Sequence, residues 1–183
     1  MRNPDPRFME LLALTGSETV VDFGSGSGHH SLMVAQKLTT GKVIASDVSK
    51  AMLDKLGTLA TKRGVADRIE ILQEDALNLS SVPSESADCA ISLATWHHIH
   101  GDPSVLQKAC NEMARVLKPG GRFIVVDLGI TKSSAHDRAL GSVMKGHDRP
   151  FSMEDMESYM ANAGLRERKV EKAGRWIIGY SIK

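Results

Sequence analysis

The residues with the clearest chemical meaning form a glycine-rich segment near the N-terminus, DFGSGSG at positions 22–28. Alternating glycines let the backbone turn sharply and pass close to a ligand, where a Cβ atom would collide with it. The dinucleotide-binding fingerprint is GxGxxG, but the position that would complete it here holds His29. Taken alone, the segment leaves a choice between a site for a nucleotide-like ligand and a simple tight turn.

A carboxylate in the following apolar run favours the ligand site. Asp47 comes at the end of KVIASD (42–47), which has the composition of a buried strand. At such a position the carboxylate can accept hydrogen bonds from both hydroxyls of a ribose, although a solvent-exposed Asp at a strand end is the alternative. The order strand, glycine loop, helix, strand, acid is more specific than the loop alone.

Histidines are the candidate proton acceptors. His97, His98 and His100 stand together, and His136 and His147 come later in a polar segment. Imidazole titrates near neutral pH, so a histidine is the natural general base, and among these we choose His98 and His147 as the candidates. A cleft-lining or exposed role is the favoured alternative for each of them. A zinc site is less favoured, because adjacent histidines should point in different directions and no Cys or HExxH partner completes a set of ligands.

The elements that must position these residues follow from the hydrophobic pattern. Apolar runs alternate with helical patterns from Thr19 onwards, which is typical of βαβ units in a doubly wound α/β fold with three layers. The predicted strands are TVVDFG (19–24), KVIASD (42–47), RIEILQED (68–75), ADCAISL (87–93) and RFIVVDLG (122–129). Two further runs, 165–173 and 175–183, have only Gly174 between them, so we expect an antiparallel hairpin.

Capping signals and loops complete the expected organisation. Ser49 should begin one helix and Gly64 should follow its end, while Ser152 with Asp155 has the pattern of a capping box. The first helix should contain residues 31–38. We expect one domain over residues 1–183, with a short N-terminal helix within 1–18 and a substrate-side loop at 130–149.

Composition narrows the class of protein. With 42% hydrophobic and 25% charged residues in 183, the chain is typical of a globular domain with one core. A net charge of +1 supplies no overall basic field, so a nucleic-acid substrate is disfavoured. The sequence has neither an apolar run of about 20 residues nor a signal-peptide layout, which predicts a cytoplasmic protein without a membrane span. Cys89 and Cys110 are expected to be buried thiols.

The motifs resemble those of a known family. DFGSGSG is similar to the DxGxGxG cofactor motif of class I S-adenosylmethionine (SAM)-dependent methyltransferases, and LKPGGRFIVVD resembles the LKPGG element before their fifth strand. The resemblance looks strongest to the type 11, or ubiquinone/menaquinone biosynthesis, group and extends from about Thr19 to the end. It implies SAM as the cofactor and a Rossmann-like sheet of seven strands in the order 3-2-1-4-5-7-6, with strand 7 antiparallel.

The resemblance also implies roles for individual residues. Asp22 would lie near the methionine amino group, and Asp47 would hold the ribose hydroxyls. The loop from Gly24 through Ser25 and Gly26 to Gly28 would form the floor beneath the cofactor. The adenine would contact Val48 and Met52, for which ordinary core burial is the alternative, together with Asp75 and Ala76. The fourth strand opens at Leu93 into the segment LATWHH (93–98), which would line the cleft between cofactor and substrate. Within it, Leu93 would contact the cofactor, and Trp96, His97 and His98 would contact the substrate.

The predicted reaction is in-line transfer of a methyl group to a small-molecule acceptor, in which the protein mainly positions the reactants. Trp96 could stack on a flat substrate, or it could pack beneath the loop. The short segment before the first strand suggests an open pocket, or one closed by a second subunit in a homodimer. Alternatives are a methyltransferase acting on protein or RNA, a catalytically silent SAM-binding module and an NAD-dependent oxidoreductase.

Overall fold

The computed structural model describes residues 7–99, 103–130 and 151–183. Two of the sequence predictions fall outside these ranges: His147 as a general base, and the substrate-side loop at 130–149 apart from Ile130. His100 and His136 also lie outside the described residues.

A single twisted sheet organises the described residues. Its strands are β1 (Thr19–Phe23), β2 (Lys42–Ser46), β3 (Ile69–Leu72), β4 (Ala87–Leu93), β5 (Leu117–Ile130), β6 (Phe151–Ser152), β7 (Arg166–Ala173) and β8 (Trp176–Ile182). The order is β3-β2-β1-β4-β5-β8-β7, and the two-residue β6 pairs with β5 off this path. With β6 set aside, this is the predicted seven-stranded order 3-2-1-4-5-7-6. The strand next to β5, β8, is antiparallel to both neighbours, as predicted.

Helices cover both faces of the sheet. They are α1 (Arg7–Leu12), α2 (His29–Ala35), α3 (Lys50–Lys62), α4 (Pro103–Val116) and α5 (Met153–Asn162). Successive strand side chains point to opposite faces. Accordingly, Val20 packs in the cluster that contains residues of α1, α2 and α3, whereas Val21 packs in the cluster that contains residues of α4 and α5. This arrangement is the predicted three-layer architecture.

The predicted capping signals are confirmed. The Ser49 hydroxyl accepts a hydrogen bond from the Met52 N–H at the start of α3, and Gly64 follows the helix with a φ of 65°. At the start of α5, Ser152 and Asp155 form a reciprocal capping box. These local hydrogen bonds satisfy N–H groups that the first turn of a helix leaves without partners.

Two element boundaries differ from the sequence predictions. Helix α2 begins at His29, directly after the glycine loop, and ends at Ala35, before the predicted end at Leu38. Strand β5 begins at Leu117 rather than Arg122, because Leu117 pairs with Ala87 before the register shifts. The LKPGG turn is therefore an irregular part of the strand rather than only a helix stop.

Neither cysteine is available for surface chemistry. Cys89 and Cys110 are free and buried, as predicted. Burial raises the pKa of both thiols, and that of Cys110 to about 12.

Among the helices of the described segments, none has the length and apolar character to cross a membrane.

Candidate cofactor site

The glycine loop between β1 and α2 has the conformation that its composition favours. Gly24, Gly26 and Gly28 have φ angles of 69°, 54° and 79°, in the left-handed region that side chains disfavour. A Cβ atom at Gly24 would come within 2.1 Å of the Thr95 side chain, and one at Gly28 within 2.0 Å of Leu56. At Gly26, by contrast, it would meet nothing within 4 Å. Gly26 therefore faces open space, whereas the absence of a side chain at Gly24 and Gly28 lets Thr95 and Leu56 pack closely against the loop.

The loop is joined to the end of β2. The Gly26 N–H donates to Oδ2 of Asp47 at 2.8 Å, and Oδ1 of Asp47 accepts the Ser49 N–H at 2.9 Å. The Ser25 N–H donates to the Ser46 carbonyl at 2.8 Å. Glycine loop and acid, which are 21 residues apart in the sequence, thus lie together at the carboxyl end of the sheet.

Asp22 is a buried acid at the end of β1. Asp22 is only 2% exposed, and its Oδ2 accepts a 2.5 Å hydrogen bond from the Ser31 hydroxyl. Burial raises the pKa of the carboxyl, the hydrogen bond from Ser31 lowers it, and the charge of Asp47 raises it again. The net effect raises the pKa of Asp22 to about 7. This carboxyl therefore gains or loses its proton near neutral pH.

A cavity of about 580 Å³ opens beside the loop, within the rough range of 300–1,000 Å³ that ligand pockets span. Val48 and Met52 are 64% and 47% exposed there, so the alternative of ordinary core burial is wrong for both. The predicted residues that line this cavity are Gly24, Gly26, Asp47, Val48, Met52, Asp75, Ala76 and His98. Glu74, Thr95, Ile99 and Val105 also contribute to its wall.

Three carboxylates line the same cavity. Asp47 follows β2, and Glu74 and Asp75 follow β3. Oδ1 of Asp75 accepts the Leu77 N–H at 2.9 Å, which orients the side chain. Hydrogen bonds from Ser81 lower the pKa of Glu74 below its ordinary value. The resulting negative potential suits a ligand that carries positive charge.

Some predicted site residues lie behind the cavity wall. Leu93 packs in the hydrophobic core and Gly28 packs against Leu56. Trp96 is only 1% exposed and makes edge-to-face contacts with Phe123 and Tyr159. Of the two roles considered for Trp96, packing beneath the loop therefore agrees with the structure, and stacking on a substrate does not.

The sequence analysis missed Asp127, a fully buried carboxylate in β5. Its Oδ2 accepts the Thr95 N–H at 2.8 Å and the Trp96 N–H at 2.6 Å. Its Oδ1 accepts the Leu128 N–H at 2.6 Å and lies 2.5 Å from Nδ1 of His97. A buried charge requires such partners. The available signal was an acid in the otherwise apolar run FIVVDLG.

His97 and His98 lie on different sides of the wall. His98 lines the cavity, whereas His97 is fully buried against Asp127, and the two ring centres are 3.9 Å apart. Within the described ranges, no group of three or more His, Cys, Asp and Glu side chains is arranged to hold a metal ion. The segment that follows β4 thus presents one histidine to the cavity and one to β5.

The sequence is similar to those of known methyltransferases. Residues 21–125 match the family described as a methyltransferase domain. The chain is 27% identical over 176 residues to 27-O-demethylrifamycin SV methyltransferase from Amycolatopsis mediterranei, covering 93% of this chain and 62% of that protein. It is 32% identical over 121 residues to the ubiquinone/menaquinone biosynthesis C-methyltransferase of Pseudomonas entomophila, covering 65% and 45%.

A solved structure shares the fold. The geranyl diphosphate C-methyltransferase of Streptomyces coelicolor, in complex with Mg²⁺, geranyl diphosphate and S-adenosyl-L-homocysteine, superposes with a TM-score of 0.77 at 15% identity. The match covers 95% of this chain and 74% of that one. The chain spans less than two thirds of the length of the two curated relatives, at 62% and 45%.

Proposed function

Because the chain belongs to the class I SAM-dependent methyltransferase family, we propose that it binds SAM in the cavity beside the glycine loop and transfers the methyl group to a small-molecule acceptor. The observation that carries the proposal is the 2.8 Å hydrogen bond between the Gly26 N–H and Asp47. It joins a ligand-accessible stretch of backbone to the acid expected to hold a ribose.

The cavity residues fit SAM in shape and polarity. The open space above Gly26 admits a ligand against the backbone, and the exposed Val48 and Met52 offer apolar contact to a flat base. Each Asp47 oxygen accepts one N–H in the structure, and carboxylate oxygens have further lone pairs for ribose hydroxyls. We assign Asp75, in the cavity wall, to the adenine amino group. Asp22, a buried residue outside the cavity lining, is assigned to the methionine amino group, as the family resemblance implies.

When bound, SAM supplies a methyl group that the positive charge on sulfur already makes reactive. The chain therefore mainly positions its ligands, and good positioning of reactants can remove on the order of 7 kcal/mol or more from a barrier. In this proposal the glycine loop and Asp47 fix the adenosyl end, and the three carboxylates of the cavity favour the cationic cofactor. Leu93, Trp96 and Asp127 support the wall from behind.

The class of acceptor remains a proposal because the two curated relatives differ in the atom they methylate, as their names state. One is named for an oxygen of a rifamycin precursor and the other for carbon methylation in quinone biosynthesis. We propose a small-molecule acceptor that is methylated on oxygen or on carbon, the two atoms that those names give. We also predict that a second copy of the chain closes the pocket. Sedimentation velocity with and without S-adenosylhomocysteine would check this prediction.

Calorimetry tests cofactor binding. We expect SAM and S-adenosylhomocysteine to bind and NAD, titrated in parallel, not to bind. Asp47→Ala should weaken S-adenosylhomocysteine binding by about 10- to 100-fold, because hydrogen bonds to a charged group contribute roughly 1.5–3 kcal/mol. Asp67→Ala removes an exposed acid outside the cavity lining and should leave affinity unchanged. The absence of binding heat up to about 1 mM cofactor would remove the proposal.

An acceptor screen tests catalysis. Production of S-adenosylhomocysteine is measured with 27-O-demethylrifamycin SV, catechol and a prenylated hydroquinone, beside a mixed peptide pool and total RNA. Turnover with one of the small molecules supports the proposal. Turnover with peptide or RNA alone favours the macromolecular alternative, although the near-neutral charge of the chain disfavours RNA. Cofactor binding without any turnover indicates a catalytically silent SAM-binding module.

A further inference from the structure

The segment that joins β3 to β4 forms part of the cavity wall. The four consecutive residues from Glu74 to Leu77 all line the cavity, and Asp75 among them is exposed. Between Leu72 and Ala87 the described chain contains neither a helix nor a strand of the sheet. The conformation of this segment, and with it the position of the Asp75 carboxylate, must therefore depend on other hydrogen bonds.

Two charged side chains of α4 supply such hydrogen bonds. Oε1 of Glu112 accepts the Leu79 N–H at 2.7 Å. The Arg115 guanidinium donates to the Leu79 carbonyl at 3.0 Å and to the Val82 carbonyl at 2.8 Å. Arg115 also donates to both carboxylate oxygens of Glu112, at 2.8 and 2.7 Å. The Glu112–Arg115 pair thus binds both polar backbone groups of Leu79, which is fully buried.

The charges of this pair make the attachment strong. Hydrogen bonds that involve ionised groups are stronger than neutral ones, and a planar guanidinium presents its donors in a fixed fork. The hydrogen bonds from Arg115 hold the pKa of Glu112 below its ordinary value, so the carboxyl is ionised at neutral pH. The pair therefore fixes Leu79 relative to α4.

A short turn connects Leu79 to Asp75. The Asn78 N–H donates to the Asp75 carbonyl at 2.9 Å, and the Leu77 N–H donates to Oδ1 of Asp75 at 2.9 Å. Leu79 directly follows this turn in the sequence. A fixed Leu79 consequently restricts the turn and the direction of the Asp75 carboxylate.

We propose that Glu112 and Arg115 are positioning residues, which act through Leu79 to hold the Asp75 carboxylate where it accepts a hydrogen bond from the adenine amino group. The proposal rests on the proposed binding of SAM in this cavity. Neither Glu112 nor Arg115 lines the cavity, so the pair acts on the ligand only through the segment that it holds. A carboxylate that is in place before the ligand arrives loses less conformational entropy on binding.

Two ligands that differ only at the adenine amino group separate positioning from stability. One is S-adenosylhomocysteine, and the other is its purine analogue, in which a hydrogen atom replaces that amino group. We expect calorimetry to show about 10- to 100-fold tighter binding of S-adenosylhomocysteine to the wild type, because the analogue lacks a hydrogen bond to a charged group. In Arg115→Gln this preference should fall to about threefold or less, while affinity for the analogue stays within about twofold of the wild type.

Arg168→Gln is the matched control. Arg168 donates to Glu157 at 2.7 Å and to the Leu165 carbonyl at 2.6 Å, and its side chain is 32% exposed, compared with 33% for Arg115. It lies in β7, at the opposite edge of the sheet from β3. Both variants should lower the melting temperature, but Arg168→Gln should keep the wild-type preference for the amino group.

The outcomes separate this proposal from the proposed function. If the wild type does not bind S-adenosylhomocysteine, the proposed function and the inference fail together. If the wild type binds both ligands equally well, or if Arg115→Gln keeps the full preference, cofactor binding stands and only this inference fails.

A measurement on the unchanged protein avoids any folding defect of the variant. Amide hydrogen exchange should show the Leu79 N–H as strongly protected in the ligand-free protein as the amides of β4. A Leu79 N–H that becomes protected only when S-adenosylhomocysteine is bound overturns the proposal, because the pair would then not hold the segment in advance.

Discussion

At the scale of single residues, the buried carboxyl of Asp22 should make cofactor binding depend on pH. Its pKa is raised to about 7 by burial and by Asp47, against the hydrogen bond from Ser31. A methionine ammonium group beside Asp22 would favour the ionised form and lower this pKa, so binding releases a proton. Affinity should therefore rise with pH between about 6 and 8, approaching tenfold per pH unit below the pKa.

Calorimetry of S-adenosylhomocysteine binding in buffers of different ionisation enthalpy measures this proton release. Asp22→Asn removes the titrating group and should give an affinity that is weaker and flat over the same range. A wild-type affinity that does not change between about pH 6 and pH 8 contradicts the assignment of Asp22 to the amino group.

Glu18 should contribute to stability in a pH-dependent way. Burial acts to raise its pKa, but hydrogen bonds from the Thr15 N–H, the Thr15 hydroxyl and the Gly16 N–H lower it from 4.5 to about 2. Because the folded-state pKa is depressed, this stabilisation is present above about pH 4.5 and is lost as the pH falls towards 2.

Urea unfolding of Glu18→Gln at neutral pH checks this prediction. We expect a loss of about 1–3 kcal/mol in the free energy of unfolding at pH 7, and a smaller difference from the wild type near pH 3. Glu10→Gln, at an exposed position of α1, is the control and should change little at either pH. An equal loss at both pH values would mean that the Glu18 charge is not responsible.

At the scale of elements, two glycines of the loop have different roles: Gly26 faces the proposed ligand, and Gly28 packs against α3. Gly28→Ala should strongly destabilise the fold, because its Cβ would lie 2.0 Å from Leu56 of α3 and the residue has a φ of 79°. Gly26→Ala meets only the cost of a left-handed residue, about 1–2 kcal/mol, but its Cβ would occupy the space proposed for the cofactor.

Thermal unfolding with and without S-adenosylhomocysteine distinguishes the two glycines. We expect Gly28→Ala to have the lower melting temperature, and Gly26→Ala to lose most of the stabilisation that the ligand gives to the wild type. A Gly26→Ala variant that the ligand stabilises as fully as the wild type would contradict the proposed cofactor position.

Element boundaries were predictable where the signals are local. Strand β4 runs from Ala87 to Leu93 as its apolar pattern predicts, and the Ser49 cap begins α3 as expected. The start of β5 was not predictable in this way, because it depends on the pairing of Leu117 with Ala87 of the neighbouring strand β4. Local periodicity carries no information about which residue of another strand stands opposite.

At the scale of the whole molecule, the sheet topology assembles the cavity. β1, β2, β3 and β4 are mutually parallel, so their carboxyl ends meet at one edge. The residues that follow these four strands, including Gly26, Asp47, Asp75 and Thr95, consequently line one cavity. Ligands in open α/β sheets bind at this edge. The strand order, which the family resemblance implied, is therefore also the reason that four distant segments form one site.

The amino-acid sequence alone was sufficient for the α/β class, the glycine loop, its acid partner Asp47 and the terminal hairpin. Each of these follows from residue types at short spacing, which constrain the backbone locally. Only the tertiary structure decided that Trp96 is buried, that Val48 and Met52 are exposed and that His97 pairs with Asp127. The direction and burial of a side chain depend on contacts with residues far away in the chain, and His97 and Asp127 are 30 positions apart.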